Sequence, residues 1–157
     1  MWRSLVAWVL VVGLAWSAWL GAGHLYAWEY SVGHFAFARV GAPALHFVLG
    51  GLGVALDVVA VLALLLPRPR GFGVVLGALI FGLAHDLVSL RLVSADLDGA
   101  RRVYAAGRVE QGSIASEAAL DALFCPAGQH QLATIAFLFA LAGMALLLVT
   151  RPYFEPR

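Results

Sequence analysis

The sequence predicts an all-α integral membrane protein, an antiparallel bundle of four transmembrane helices with a short helical outer segment between the third and fourth. Of the 157 residues, 62% are hydrophobic and only 12% are charged, about half the charged fraction of a typical soluble domain. The apolar residues run in four stretches that do not alternate with polar ones and are too long for strands. We therefore expect lipid to cover much of a single membrane domain, residues 1–157.

Each predicted span supplies the roughly 20 apolar residues that a helix needs to cross a bilayer. The spans cover approximately residues 4–26, 44–66, 72–92 and 131–150. The link at residues 67–71 contains two prolines, which end the second helix. Because this link is so short, the second and third helices are expected to be antiparallel neighbours.

The arginines predict the orientation of the bundle. Arg68 and Arg70 occupy the short link without an acidic residue, Arg3 lies near the N-terminus, and Arg151 and Arg157 lie near the C-terminus. Four crossings bring these three segments to the same side, and the positive-inside rule makes that side cytoplasmic. The expected location is a bacterial cytoplasmic membrane, with both termini in the cytoplasm.

The outer segment, residues 94–130, is the one sizeable polar stretch and is expected to form two short helices. Ser94 is predicted to cap the first helix, whose opening turn contains Asp96 and Asp98. The second helix is predicted to end at residues 125–128, which contain a proline and a glycine. Together these helices are expected to lie over the outer mouth of the bundle.

Glycines predict where helices approach one another closely. The second span contains Gly50-Gly51-x-Gly53, and the third contains Gly73-x-x-x-Gly77. Small residues at this spacing allow close backbone contact. Packing inside the bundle is the preferred interpretation for both groups, and a dimerisation face is the alternative.

Asp57 lies near the middle of the second span. A carboxylate there costs about 2.5–3.5 kcal/mol on insertion scales. We therefore expect Asp57 to face the interior of the bundle, where a hydroxyl such as that of Ser17 could act as its partner. The functional interpretation is proton or substrate binding, and the structural one is a carboxyl that joins two helices or two subunits.

His85 and Asp86 are the second polar group within a span. Neighbouring residues on a helix point about 100° apart, so these two are not expected to form a local dyad. His85 shares a helical stripe with Gly82 and Ser89. This stripe predicts a polar, sterically open groove on the third helix.

All five histidines fall on the predicted non-cytoplasmic half. Imidazole and carboxylate groups together suit zinc, copper or iron, two histidines at one depth suit haem, and one histidine could hold a chlorophyll-type pigment. The candidate ligands are His24, His46, His85, His130 and Glu29. No pair has the i, i+3 or i, i+4 spacing of a dedicated metal helix, and histidine is common at membrane interfaces, so a protein without a cofactor is an equal alternative.

The single cysteine and the low net charge argue against several kinds of site and partner. With Cys125 as the one cysteine, an internal disulfide is impossible. A nucleophilic role for Cys125 would need a base such as His130, and an inert thiol is the preferred interpretation. The net charge of +1 and the lack of a basic tract argue against a nucleic-acid partner.

The spacing of the spans, together with His130 before Leu132-Ala133-Thr134, resembles small bacterial membrane families that include the anthrone-oxygenase-like proteins. The resemblance implies a small four-span bacterial membrane protein. No residue role is carried over from it.

The favoured functional interpretation is an accessory or structural subunit of a larger membrane complex, with other membrane subunits or copies of itself as partners. One alternative is an outer-leaflet redox protein that binds a metal or haem through the histidines and acts on a quinone or another lipophilic substrate. The other is a small proton-coupled transporter that uses Asp57 and His85. The sequence contains no motif that identifies an enzyme.

Overall fold

A computed structural model describes residues 2–154, with side chains from Leu5 onward. The side chain of Arg3 and the whole of Arg157, both used above to predict orientation, lie outside the described residues. Helices make up nearly all of the described chain. They are α1 (Trp2–Tyr26), α2 (Val32–Arg39), α3 (Pro43–Leu65), α4 (Gly71–Val93), α5 (Leu97–Glu110), α6 (Glu117–Leu123) and α7 (Pro126–Thr150), with single 3-10 turns at Trp28–Tyr30 and Arg151–Tyr153.

The predicted fold class is confirmed: α1, α3, α4 and α7 are each long and apolar enough to cross a membrane. Their limits agree with the predicted spans to within one or two residues, except that α7 begins at Pro126 rather than near residue 131. Many large apolar side chains point away from the bundle, including Trp16 at 62% exposure and Trp19 at 73%. A face of this kind is suited to lipid rather than to water.

The four long helices form a ring in the order α1, α3, α4, α7, in which each helix packs on the next and α7 returns to α1. All four neighbouring pairs are antiparallel. We call the end of the bundle that carries residues 66–70 the turn end. The opposite end, covered by α2, α5, α6 and the Trp28–Tyr30 turn, is the cap end.

Two separate apolar clusters stabilise the two ends. At the turn end, one cluster joins all four long helices and the C-terminal 3-10 turn; its fully buried members include Leu64, Val75 and Leu147. At the cap end, a smaller cluster joins Ala36 of α2, Val93 of α4 and Ala100 of α5. The middle of the cap half lies between the two clusters, and it is there that a cavity remains.

The two predicted cap helices are present as α5 and α6, but the predicted N-cap of the first was wrong. Ser94 ends α4 and donates its hydroxyl to the Leu90 carbonyl at 2.8 Å. Asp96 is the N-cap of α5, and its carboxylate accepts the Gly99 N–H at 2.9 Å. Both residues can cap a helix, and the chain turns at Ser94 and Ala95 before α5 begins.

The second cap helix does stop where predicted, since α6 ends at Leu123, but Cys125 also begins the next helix. The predicted stop at residues 125–128 is the start of α7, with Cys125 as N-cap and Pro126 in the first turn. The Cys125 thiol accepts the Gly128 N–H at 3.2 Å. Proline suits the first turn of a helix because its missing N–H has no partner there.

The glycine groups differ from each other in their role. Gly50 and Gly53 face the neighbouring helices, where an added Cβ would lie 2.9 Å from Leu25 and 3.5 Å from Phe81. Gly73 and Gly77 are exposed, and an added Cβ would meet nothing within 4 Å. Internal packing was therefore the correct prediction for Gly50 and Gly53 and the wrong one for Gly73 and Gly77. An added Cβ at Gly51 would also meet nothing within 4 Å.

Candidate functional site

A cavity of about 520 Å3 occupies the cap half of the bundle. Its walls are one face each of α1, α3 and α4, and the Ser31–Gly33 segment at the start of α2 covers it. None of its lining residues comes from α7, although α7 completes the ring at the turn end. Exposed side chains such as Trp16 and Asp86 line this cavity, so it opens to the surroundings at the level of the bilayer.

His46 is the most buried polar group of the cavity, with only 5% of its surface exposed. Neither of its ring nitrogens has a hydrogen-bond partner among the described residues. The His24 main chain approaches the ring without forming a hydrogen bond of normal geometry. A buried polar group without a partner costs about 1–3 kcal/mol, so the position of His46 calls for a ligand or an ordered water.

Aromatic packing holds the His46 ring in place from the side of the cap. The His34 ring lies 5.6 Å from the His46 ring, and the Phe47 ring lies 5.4 Å from it, both edge to face. Gly33 lies directly against the ring, because an added Cβ would be 3.3 Å from two of its atoms. These contacts fix the ring but give its nitrogens no acceptor or donor.

His85 faces the same cavity from α4, and its Nε2 atom is also buried without a partner in the described chain. Its ring lies parallel to that of Phe81, with centroids 6.3 Å apart. Gly82 and Ser89 line the cavity beside it, so the polar stripe predicted on the third helix is confirmed. Asp86 lines the cavity as well but is exposed, and it forms no hydrogen bond with His85.

Asp57 lies at the deep end of the cavity, on the same face of α3 as His46. The rise from residue 46 to residue 57 is about 16 Å along the helix. Ser17 of α1 and Asp86 of α4 line the cavity near the Asp57 carboxyl. The prediction that Asp57 faces the interior, close to Ser17, is therefore confirmed.

The predicted cluster of five histidines is divided by the tertiary structure. His24, His46 and His85 line the cavity, and His34 contacts His46 from the side without reaching the cavity. His130 is exposed on α7 and does not line the cavity.

The two other candidates near the cap lie apart from the cavity. Glu29 is exposed in the 3-10 turn after α1 and is not a lining residue. The Cys125 thiol bonds the main chain at Gly128 and Ala122, and His130 makes no hydrogen bond to it.

Within residues 5–154, no three His, Cys, Asp or Glu side chains form a group that could hold a metal ion. The imidazole groups in the cavity can form hydrogen bonds with a ligand. Neutral imidazole supplies one donor and one acceptor, and His46 and His85 together leave three buried nitrogens for a ligand.

A groove of about 570 Å3 adjoins the cavity at the cap end. It lies between the end of α1, the Trp28–Tyr30 turn and α5, and Arg108 and Tyr104 line it. Sequence reasoning missed this groove, because Arg108 belongs to an amphipathic helix whose charged residues are expected to face water. The tight approach of Gly107 to Tyr30 could be recognised only in three dimensions.

Comparison of the chain with protein-family models, with curated proteins and with solved structures gave no match. The resemblance to the anthrone-oxygenase-like families therefore gains no support, and the fold and the cavity carry the functional argument. What they define is a class: a membrane protein of four transmembrane helices, with a mainly apolar cavity that contains a few polar side chains in one half of the bundle.

Proposed function

We propose that this protein binds a small amphiphilic molecule that enters its cavity from the membrane. The observation that carries the proposal is the pair of unpartnered ring nitrogens of His46, buried in the wall of a 520 Å3 cavity. This volume is typical of sites for drug-sized ligands, in which a few polar groups orient a mostly apolar molecule. The hydrogen-bonding end of the ligand would lie between His46 and His85.

The shape of the bundle supports entry from the side. The cavity lacks a wall from α7, and Trp16 and Asp86 at its edge are exposed. The apolar cluster at the turn end separates the cavity from the opposite side of the membrane. This arrangement favours binding over passage across the bilayer, and it suits the cap end as the outer side of a bacterial cytoplasmic membrane.

The test is the identity of what co-purifies. Protein isolated in mild detergent should carry a lipophilic molecule in near-stoichiometric amount, which organic extraction and mass spectrometry would detect. His46→Phe should lose it, and Asp57→Asn provides a second cavity variant if the first assembles poorly. His130→Phe is the matched control, because His130 lies outside the cavity, and it should retain the molecule.

Equal retention by His46→Phe and wild-type protein, with both folded, would contradict the proposal. An extract that contains only bulk lipid, in the proportions found in the membrane, would also contradict the proposal.

A second candidate function, that of a subunit in a larger membrane assembly, is favoured by the exposed Gly73 and Gly77. Glycines four positions apart on a lipid-facing helix allow another helix to approach closely. The partner would be a second copy or another membrane subunit, in contact with the outer face of α4. This proposal is compatible with ligand binding, because neither glycine lines the cavity.

Gly77→Leu should weaken such an assembly without unfolding the bundle, because residue 77 is exposed and an added Cβ there meets nothing within 4 Å in the isolated chain. Cross-linking in membranes, with Gly51→Leu on α3 as the matched control, measures the effect. Cross-linked species that persist unchanged in Gly77→Leu would exclude this face as the contact.

A further inference from the structure

Arg108 is an unpaired cation on the wall of the cap-end groove. Its side chain is half-buried, and none of the ion pairs within residues 5–154 includes it. Gly107 lets α5 approach the Trp28–Tyr30 turn closely, since an added Cβ would lie 2.8 Å from that of Tyr30. An unpaired guanidinium on the wall of a groove favours a phosphate or carboxylate as its partner.

The groove and the cavity are adjacent parts of one space. His24, Ser31 and Gly33 line both of them, so the two are separated by little more than the turn that begins α2. Gly33 also contacts the His46 ring. A ligand bound at His46 can therefore extend through the groove toward Arg108.

The polar groups follow an order along this space. Arg108 lies in the groove at the cap end, and His46 lies in the cavity wall against Gly33, which lines both spaces. Farther from the groove, apolar residues such as Val54 and Phe81 line most of the cavity, and Ser17 and Asp57 lie among them. A ligand that matches this order has an anionic end, a neutral hydrogen-bonding group next to it and an apolar chain. The cavity, at about 520 Å3, has the size for one chain rather than two.

We propose that the ligand is a single-chain anionic amphiphile whose phosphate or carboxylate binds Arg108 and whose chain fills the cavity beside His46. This inference rests on the proposed function and specifies its ligand class. Hydrogen bonds between two charged groups are stronger than neutral ones, so the anionic end should raise affinity roughly tenfold or more.

Two probes that differ only in the anion test this proposal. Mono-oleoylglycerol and oleoyl lysophosphatidate share the chain, the ester and a glycerol hydroxyl, and the second adds a phosphate. Binding to the delipidated full-length protein can be followed by the fluorescence of Trp16 and the other tryptophans. Wild-type protein should bind lysophosphatidate about tenfold more tightly, and Arg108→Gln should reduce this affinity to that of mono-oleoylglycerol.

Arg102→Gln is the matched control for Arg108→Gln. Arg102 is an exposed arginine of the same helix and does not line the groove, so its replacement should leave the preference unchanged. Equal affinity of wild-type protein for the two probes, or an unchanged preference in Arg108→Gln, would overturn the assignment of an anionic end.

Further probes distinguish the source of the anion. Dioleoyl phosphatidate should bind more weakly than the single-chain probe, and equal or tighter binding would overturn the single-chain assignment in favour of a membrane diacyl lipid. Glycerol 3-phosphate without a chain should not compete at similar concentrations; competition would show a soluble anion site instead. A wrong proposed function would give a different result from a wrong assignment of the anionic end. In that case mono-oleoylglycerol itself would not bind, or it would bind wild-type protein and His46→Phe equally well.

Discussion

At the scale of single residues, His46 is well packed but lacks hydrogen-bond partners. Its ring is almost fully buried, and it is held by the neighbouring rings of His34 and Phe47, yet both nitrogens lack partners. Apolar residues of similar shape would fit the same place without this cost. A polar side chain kept at such a position indicates that something other than the bundle itself supplies the missing hydrogen bonds.

His46→Phe should therefore stabilise the protein once its lipids have been removed. The change removes two buried, unpartnered nitrogens and keeps the ring contacts, so the free energy of unfolding should rise by about 1–2 kcal/mol. Thermal unfolding in detergent measures the effect, and His130→Phe on the exposed side of α7 should change little. A lower midpoint for His46→Phe than for wild-type protein would contradict the interpretation.

At the scale of elements, the cap helices depend on short polar contacts at their ends. Asp96 caps α5 through the Gly99 N–H and also lies 3.5 Å from the Arg39 side chain of α2. Arg101 of α5 pairs with Glu117 and with Asp121 of α6. These contacts join α5 to α2 and α6, and α5 forms one wall of the groove.

The corrected assignment of the α5 cap leads to a paired prediction. Asp96→Ala should lower the free energy of unfolding by about 1 kcal/mol, the usual effect of losing an N-cap. Ser94→Ala should have an effect within about 0.5 kcal/mol, as expected for an exposed site, because its hydroxyl bonds only to Leu90 of its own helix. Denaturant titrations of the two variants in the same detergent compare them, and equal losses would argue against Asp96 as the cap.

At the scale of the whole molecule, the bundle is packed at both ends and open between them. The large apolar cluster joins the four helices at the turn end, and the smaller one joins α2, α4 and α5 at the cap end. Between them, the missing wall from α7 leaves the cavity in contact with the surroundings. The proposed binding from the membrane would depend on this arrangement rather than on any one residue.

Orientation in the membrane is the prediction that belongs to this scale. In a Cys125→Ser background, Ile114→Cys at the cap end and Pro69→Cys at the turn end give single thiols; Ile114 is 89% exposed. The arginines near the turn end predict that it faces the cytoplasm. A membrane-impermeant maleimide should therefore label Ile114→Cys in intact cells and Pro69→Cys only after permeabilisation, and the reverse pattern would invert the topology.

The sequence by itself determined the four spans, their antiparallel order and the interior position of Asp57, because hydropathy and the cost of a charge in lipid are local properties. It also predicted the stripe of Gly82, His85 and Ser89. Only the tertiary structure decided that His46 belongs to the cavity, that His130 does not, and that Gly73 faces outward. The physical reason is that a helix which is apolar on every side packs equally well against lipid or protein. Its rotation about its own axis is therefore fixed by packing against helices that are distant in sequence. That rotation decides which polar side chains meet.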